Sequence, residues 1–482
     1  MNEKTSEKRS FFKKISGFFQ RFGTGFTKGD LFVKLSALIM GAGYFRRKQI
    51  AKGILMTIFE LVFLLFSGMV AVPSLSKFGT LGTVQQAMVY NPATMKNEVN
   101  DFDNSFKILL YGVISIIVII AFIVIYMQNI INVRKLQVMA ENGEHINSAK
   151  DDIHDFKNEK FHITLLTLPI AGIVVFTIIP LIVMIAVAFT NYDQNHLPPS
   201  ALFSWVGFKN FKTIFINTST STFGYTFGTI LAWTLVWAFF ATFTTYFGGI
   251  LLAKFINSPK TKMQKMWRTM FIIAIAVPQF VTLLLVRNFF ADTGIVNTIC
   301  SNSGITDFLK DIGLVKQSLN YIPFLSSPGW AKFMIIMINI WVGVPYQMLI
   351  ATGVLMNIPA ELTESAKIDG ANNLQCFRHI TMPYVLFITG PALITQFVAN
   401  INNFNVIYLL TQDVYTTQNQ KLANSSGKEI DLLVTWLYRL TSDKYNYKMA
   451  AVIGIMVFVV CAIFTLIAFN RTIKGDKEES FQ

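Results

Sequence analysis

Gln396, Asn400 and Asn403 stand in an apolar stretch, QFVANINNFNVIYLLT (396–411), at a spacing that puts their carboxamides on one face of a helix. A carboxamide carries two N–H donors and an acceptor oxygen, so such a set can hold an uncharged, hydroxyl-rich ligand. The same groups can tie helices together in a bundle, and the spacing alone leaves both roles open. Other reactive constellations are lacking. The chain has no G-x-x-x-x-G-K-S/T loop to cradle nucleotide phosphates, and no carboxylate cluster or nucleophile–base pair of the kind a membrane enzyme needs. Cys300, Cys376 and Cys461 are far apart, and nothing near His145, His154 and His162 completes a metal site.

A second constellation is the polar segment NIPAELTESAKIDGANNLQCFRHITMPY (357–384) between two apolar runs. Asn357 and Pro359 suit a helix start, and Glu361 and Glu364 complement the positive end of the helix dipole. Leu362 and Ala366 share a face, and Gly370 can end the helix in a left-handed turn. A second short helix carrying Phe377 and Ile380 is expected to run to Pro383, which opens the next apolar run. The small residues Ser365, Ala366, Gly370 and Ala371 at the bend would let this knob enter a groove on another protein. A plain connector between two spans fits the same pattern.

The elements that must position these residues follow from composition. Of 482 residues, 53% are hydrophobic and only 14% charged, against about 25% charged in soluble domains. The bilayer is the fitting solvent, and an all-α integral membrane protein the expected fold. About eight spans are expected, at 50–72, 107–127, 163–189, 226–252, 269–290, 331–353, 384–410 and 449–469, each near the roughly 20 residues that cross a hydrocarbon core. Pro169, Pro180, Pro278, Pro345 and Pro391 fall inside them and can bend helices around a cavity.

The net charge of +14 reflects topology rather than nucleic acid, because Lys and Arg sit in short stretches between apolar runs. Most of them, including Arg46, Arg47, Lys48, Arg134, Lys135, Lys254, Lys260, Lys262, Lys265 and Arg268, fall on one side if both termini are cytoplasmic. The N-terminal segment lacks a signal-peptide core, and its Phe11, Phe12, Lys13, Lys14, Phe18 and Phe19 suit either a helix lying on membrane lipid or a loose basic tail. Away from the first residues of the spans intramembrane charge is scarce, with Glu60 and Arg287 the exceptions. Ion-coupled carriers keep several ionisable groups at mid-membrane, so a secondary carrier is disfavoured and the driving energy must come from elsewhere.

Glu364-Ser365-Ala366, Asp369-Gly370-Ala371, Phe377, Ile380 and Met382-Pro383 resemble the EAA signature of ABC importer permeases, with Ser365 and Met382 as mild departures. WVGVPYQM (341–348), 396–411 and DLLVTWLYRLT (431–441) look like segments of the MalF-type maltose/maltodextrin permeases, a likeness covering roughly 160–470. It implies a type I importer fold in four parts: a basic segment 1–49, two spans and a linker at 50–160, a permease core at 161–470 with its loop at 357–383, and a tail 471–482. It implies that Glu364, Ser365, Ala366, Asp369, Gly370 and Ala371 couple to a cytoplasmic ATPase, which binds the ATP and magnesium; no cofactor belongs to this chain. It implies that Gly343 and Tyr346 line a sugar cavity with Gln396, Asn400 and Asn403, Gln396 replacing a serine. The implied partners are a second, MalG-like permease, a MalK-like ATPase dimer and an extracellular sugar-binding protein. The short segment 73–106, in place of a large insertion, suggests a lipid-anchored binding protein of the Gram-positive kind. Permeases for galacto-oligosaccharide, cyclodextrin or glycerol phosphate share the pattern, the last disfavoured by a neutral cavity.

Overall fold

A computed structural model describes residues 16–215 and 222–473. Phe11, Phe12, Lys13 and Lys14, and most of the tail 471–482, lie outside the described residues. The chain divides into two compact units, 1–207 and 208–482. The third span groups with the first two rather than with the later core, because Ile179–Val187 packs on the second span.

In the first unit, α1 (Ile50–Phe66), α2 (Ser105–Glu141) and α3 (Phe161–Ile173) carry the apolar runs. A single π-helical turn extends α1 at Ser67–Ala71 and another extends α3 at Val174–Ile178. Each stands just before a proline, Pro73 and Pro180. Proline has no N–H to donate and its ring crowds the carbonyl four residues back, and the wider turn absorbs that conflict without ending the helix. Ahead of α1, the segment 30–47 folds back into two short helices, Leu31–Leu35 and Ala42–Arg46. Asp30 caps the first through Val33 N (2.8 Å) and pairs with Arg47 (3.0 Å). The turn between them buries Met40, whose N–H donates to Glu60 Oε2 (2.9 Å) and whose carbonyl accepts from Asn129 Nδ2 (3.0 Å). Glu60 is thus engaged with backbone.

The segment 73–106 contains a β-hairpin, β1 (Met88–Asn91) against β2 (Lys96–Val99). Its base is held by Asp103, which accepts from Lys77 Nζ (2.6 Å), Thr83 N (2.9 Å) and Val84 N (3.1 Å). Lys77 and these amides hold the Asp103 carboxyl below its ordinary range, against the opposing effect of burial.

In the second unit, α4 (Phe223–Asn257) and α7 (Pro328–Leu355) form the most extensive helix pair. Between them in sequence, the expected span 269–290 is instead two short helices, α5 (Gln264–Ala276) and α6 (Gln279–Phe289). The chain is extended at Val277, with ψ 126°, where Pro278 stops the helix. Pro345 and Pro391 stay inside continuous helices. With this broken segment set apart, seven helices among the described residues are long and apolar enough to cross a membrane. Arg287, at the end of α6, pairs with Asp413 (3.3 Å).

After α7 come α8 (Ala360–Ile368), α9 (Asn373–Cys376) and α10 (Met382–Ile401). Pro383 was expected to open a new span, yet a third π-helical turn, Phe377–Thr381, joins α9 to α10. The proline is again absorbed two residues past the widened turn. Asn402 ends α10, and α11 (Phe404–Thr411) follows. Two carboxylates organise the next loop. Glu429 accepts from Tyr415 (2.8 Å), Thr417 (2.7 Å) and the amides of Gln418 and Asn419 (2.9 and 2.7 Å). Buried Asp431 accepts from Arg439 (2.6 Å) and Lys428 N (2.7 Å). The last span is α12 (Tyr447–Ile473).

Candidate functional site

A cavity of about 1080 Å³ lies among α4, α5, α6, α7 and α10. Gly343, Tyr346, Gln396, Asn400 and Asn403 all border it. The three carboxamides do not share one helix face as expected. Asn is a favoured helix cap, and Asn403 takes that position on α11, its Oδ1 accepting from Val406 N at 3.3 Å. It nonetheless reaches back to Asn400, whose Oδ1 accepts from Asn403 Nδ2 at 3.4 Å.

Asn400 is only 3% exposed. Its Nδ2 donates to Thr242 Oγ1 on α4 (2.9 Å), and its backbone carbonyl accepts from Trp237 Nε1 (3.0 Å). One side-chain donor and the backbone carbonyl of Asn400 are therefore used in fixing α10 to α4. Gly343 likewise serves packing, since a Cβ there would lie 2.9 Å from Thr245 Cγ2. Its missing side chain admits the neighbouring helix, while its backbone borders the cavity. Tyr346 is half-exposed, with its ring at the cavity wall.

The composition of the wall defines its chemistry. Six carboxamides line it, Asn339, Gln279 and Gln347 joining the three already named, together with the rings of Trp267, Phe271, Trp341 and Tyr346. Among its described lining residues none is charged. Such a wall offers paired donors and acceptors and flat apolar faces, and would leave a charged ligand without a counter-ion. Asn339 and Gln279 escape a sequence reading centred on 396–403. Asn339 stands one helical turn before Gly343, and that spacing was the signal available. Gln279 becomes a wall residue only through the break at Pro278, which composition does not reveal.

The loop 357–383 forms a second, exposed site. Glu361 lies in the first turn of α8, which ends in a paired hydrogen-bond motif. Ala371 N donates to Ala366 O (2.9 Å) and Gly370 N to Lys367 O (3.1 Å), with Gly370 at φ +88°. Asn372 then caps α9, accepting from Gln375 N (2.9 Å), while Gln375 Oε1 accepts from Asn372 N (2.8 Å). Glu364, Ser365, Asp369 and Gly370 are exposed, and Ala366 and Ala371 half-buried. Ile368 and Leu374 are 86% and 73% exposed, so the bend presents bare apolar surface. Its roots are packed instead: Ile358, Phe377 and Met382 lie against the buried cluster of Tyr246, Ile250, Ala253 and Met348.

A family model described as binding-protein-dependent transport system inner membrane component matches residues 245–471, which contain most of the cavity wall and the whole loop. The maltodextrin transport system permease protein MdxF of Bacillus subtilis is 34% identical over 92% of this chain and 96% of its own length. The chain belongs to this family of ABC importer permeases. MalC of Streptococcus pneumoniae, also a maltodextrin transport system permease protein, is 33% identical with the same coverage. GanP of Bacillus subtilis, a galactooligosaccharides transport system permease protein, is 32% identical over 92% of this chain and 98% of its own. Among solved structures, a chain of a bacterial ABC transporter importing alginate superposes with a TM-score of 0.50 at 24% identity. It covers 67% of this permease and 99% of that chain, and shares its fold.

Proposed function

We propose that this permease carries neutral oligosaccharides of the maltodextrin type through its carboxamide-lined cavity, driven by ATP that a separate subunit binds with magnesium and hydrolyses. The observation that carries the reading is the wall itself: six carboxamides and four aromatic rings, without charge among its described residues. Sugar hydroxyls pair with carboxamides and sugar faces lie on rings, whereas a uronate or phosphate would be buried unpaired at a cost of several kcal/mol.

The exposed bend at Glu364, Ser365, Ala366, Asp369, Gly370 and Ala371 is the surface on which the ATPase pushes. Lys and Arg flank it and the neighbouring loop, among them Lys260, Lys262, Lys265 and Arg268, which supports a cytoplasmic location for the bend and both termini. A second permease subunit completes the passage, and an extracellular, lipid-anchored binding protein delivers the sugar.

The assembled transporter in proteoliposomes tests this reading. Uptake of labelled maltotetraose that requires ATP, the ATPase subunit and the binding protein is expected, with an alginate trisaccharide excluded. ATP-dependent uptake of the uronate in preference to the glucan would overturn it. A galacto-oligosaccharide substrate is the second reading, favoured by the 32% identity to GanP across nearly the whole chain.

A further inference from the structure

The bend and the cavity are joined by a short series of side chains. Lys254 Nζ, near the end of α4, sits 3.9 Å from the centroid of the Phe377 ring, in the π-helical turn behind the bend. One turn later, Asn257 closes α4 and holds two helices at once. Its Nδ2 donates to Thr352 Oγ1 on α7 (3.2 Å), and its Oδ1 accepts from the Arg268 guanidinium on α5. Arg268 follows Trp267, and Trp267, Met270, Phe271 and Ile275 present one face of α5 to the cavity.

We propose that Lys254 and Asn257 are positioning residues that transmit movement of the 357–383 loop to the α5 wall of the cavity. The inference rests on the reading that an ATPase drives that loop, and it assigns the route. A push on the bend displaces Phe377, and the cation held over its ring makes the end of α4 follow. Asn257 then pulls Arg268, and with it α5. That helix is only 13 residues long and ends at the extended Val277–Pro278 link, so it can tilt without deforming α6. Arg268 Nε is buried without an acceptor in this arrangement. A contiguous set of contacts of this kind can carry energetic coupling between distant sites.

The test uses the complete transporter in proteoliposomes, with maltotetraose uptake and ATP hydrolysis measured in the same vesicles. Lys254→Met and Asn257→Ala are compared with the conservative Lys254→Arg, after each is shown to co-purify with its partners. Sugar moved per ATP is expected to fall at least about fivefold in the first two, the lower end of ordinary coupling strengths, with basal ATP hydrolysis retained. Lys254→Arg restores the ratio, because a guanidinium also stacks on an aromatic ring. An unchanged ratio in Lys254→Met and Asn257→Ala overturns the route, as does a parallel loss of uptake and of basal ATP hydrolysis, which marks the contacts as merely structural. Should the wild-type complex move no maltotetraose while sugar-loaded binding protein still stimulates its ATPase, the substrate reading fails instead. That stimulation is then compared across the same variants, and its survival in Lys254→Met and Asn257→Ala overturns the route. ATP hydrolysis indifferent to the permease removes the drive and sinks both.

Discussion

Asn403 donates through Nδ2 to Asn400 Oδ1 at 3.4 Å while its own Oδ1 caps the helix that follows. The pair spans a helix end, so one carboxamide is fixed by the other and neither is free to swing away from the cavity. Their roles nonetheless differ. Asn400 is buried and bonded to Thr242, whereas Asn403 forms the more open edge.

Asn400→Ala is therefore expected to destabilise the purified permease, by about 1–3 kcal/mol for the broken buried bonds, seen as a lower Tm. Asn403→Asp keeps an acceptor for Val406 N and so keeps the cap. It removes the donors and places a charge at the cavity wall. Its Tm is expected to stay near wild type while the KM for maltotetraose uptake rises at least about tenfold, roughly 1.4 kcal/mol. Unaltered uptake by Asn403→Asp would remove this edge from the sugar site.

Gly370→Val tests the bend. A β-branched residue at φ +88° is strained by about 1–2 kcal/mol, and the link between α8 and α9 must rearrange. The variant is expected to insert and fold, yet to lose uptake and the stimulation of ATP hydrolysis by sugar-loaded binding protein. Normal stimulated hydrolysis in the folded variant would count against the docking role.

Glu60→Gln should transport at the wild-type rate, because a carboxamide oxygen still accepts from Met40 N. Glu60→Leu strands that amide and is expected to lower Tm, by about 1–3 kcal/mol of stability. A large loss of uptake in Glu60→Gln with unchanged Tm would reveal a protonation role for this carboxylate.

Asp103 sets a pH dependence on the 73–106 segment. Its carboxyl is held below the ordinary range by Lys77 and two amides. The stability it contributes is present above the unfolded-chain value of about 3.9 and is lost as pH falls through the lower folded value. Hydrogen-exchange protection of Thr83 N and Val84 N should fall correspondingly below about pH 4. In Asp103→Asn that acid-dependent step should disappear. Protection that ignores pH in the wild type would contradict the assignment.

Much of this architecture is readable from the chain. Long apolar runs declare α2, α4, α7 and α12, because a continuous apolar run of about 20 residues satisfies its own backbone in lipid only as a helix. The Glu361, Gly370 and Asn372 signals set the ends of α8 and α9 through local hydrogen bonding. Where one proline could act in two ways, sequence pattern was insufficient. Pro383 and Pro180 are absorbed by widened turns, while Pro278 breaks its segment, and the difference depends on the neighbours that pack there. Asn403 was placed on α10 because spacing does not show where a helix stops. The cavity's other carboxamides came into view only once the break turned Gln279 inward and α7 brought Asn339 beside Ala241.

The interruption at Val277–Pro278 also bears on how the protein is made. At about 1.5 Å per residue, α5 and α6 reach roughly 20 and 17 Å, well short of the approximately 30 Å of hydrocarbon. Neither piece can partition into lipid by itself, and the unpaired peptide groups at their junction would be exposed to acyl chains. Membrane integration of this segment must therefore wait for α4 and α7 to shelter it, making late assembly of the sugar passage a condition of its biogenesis.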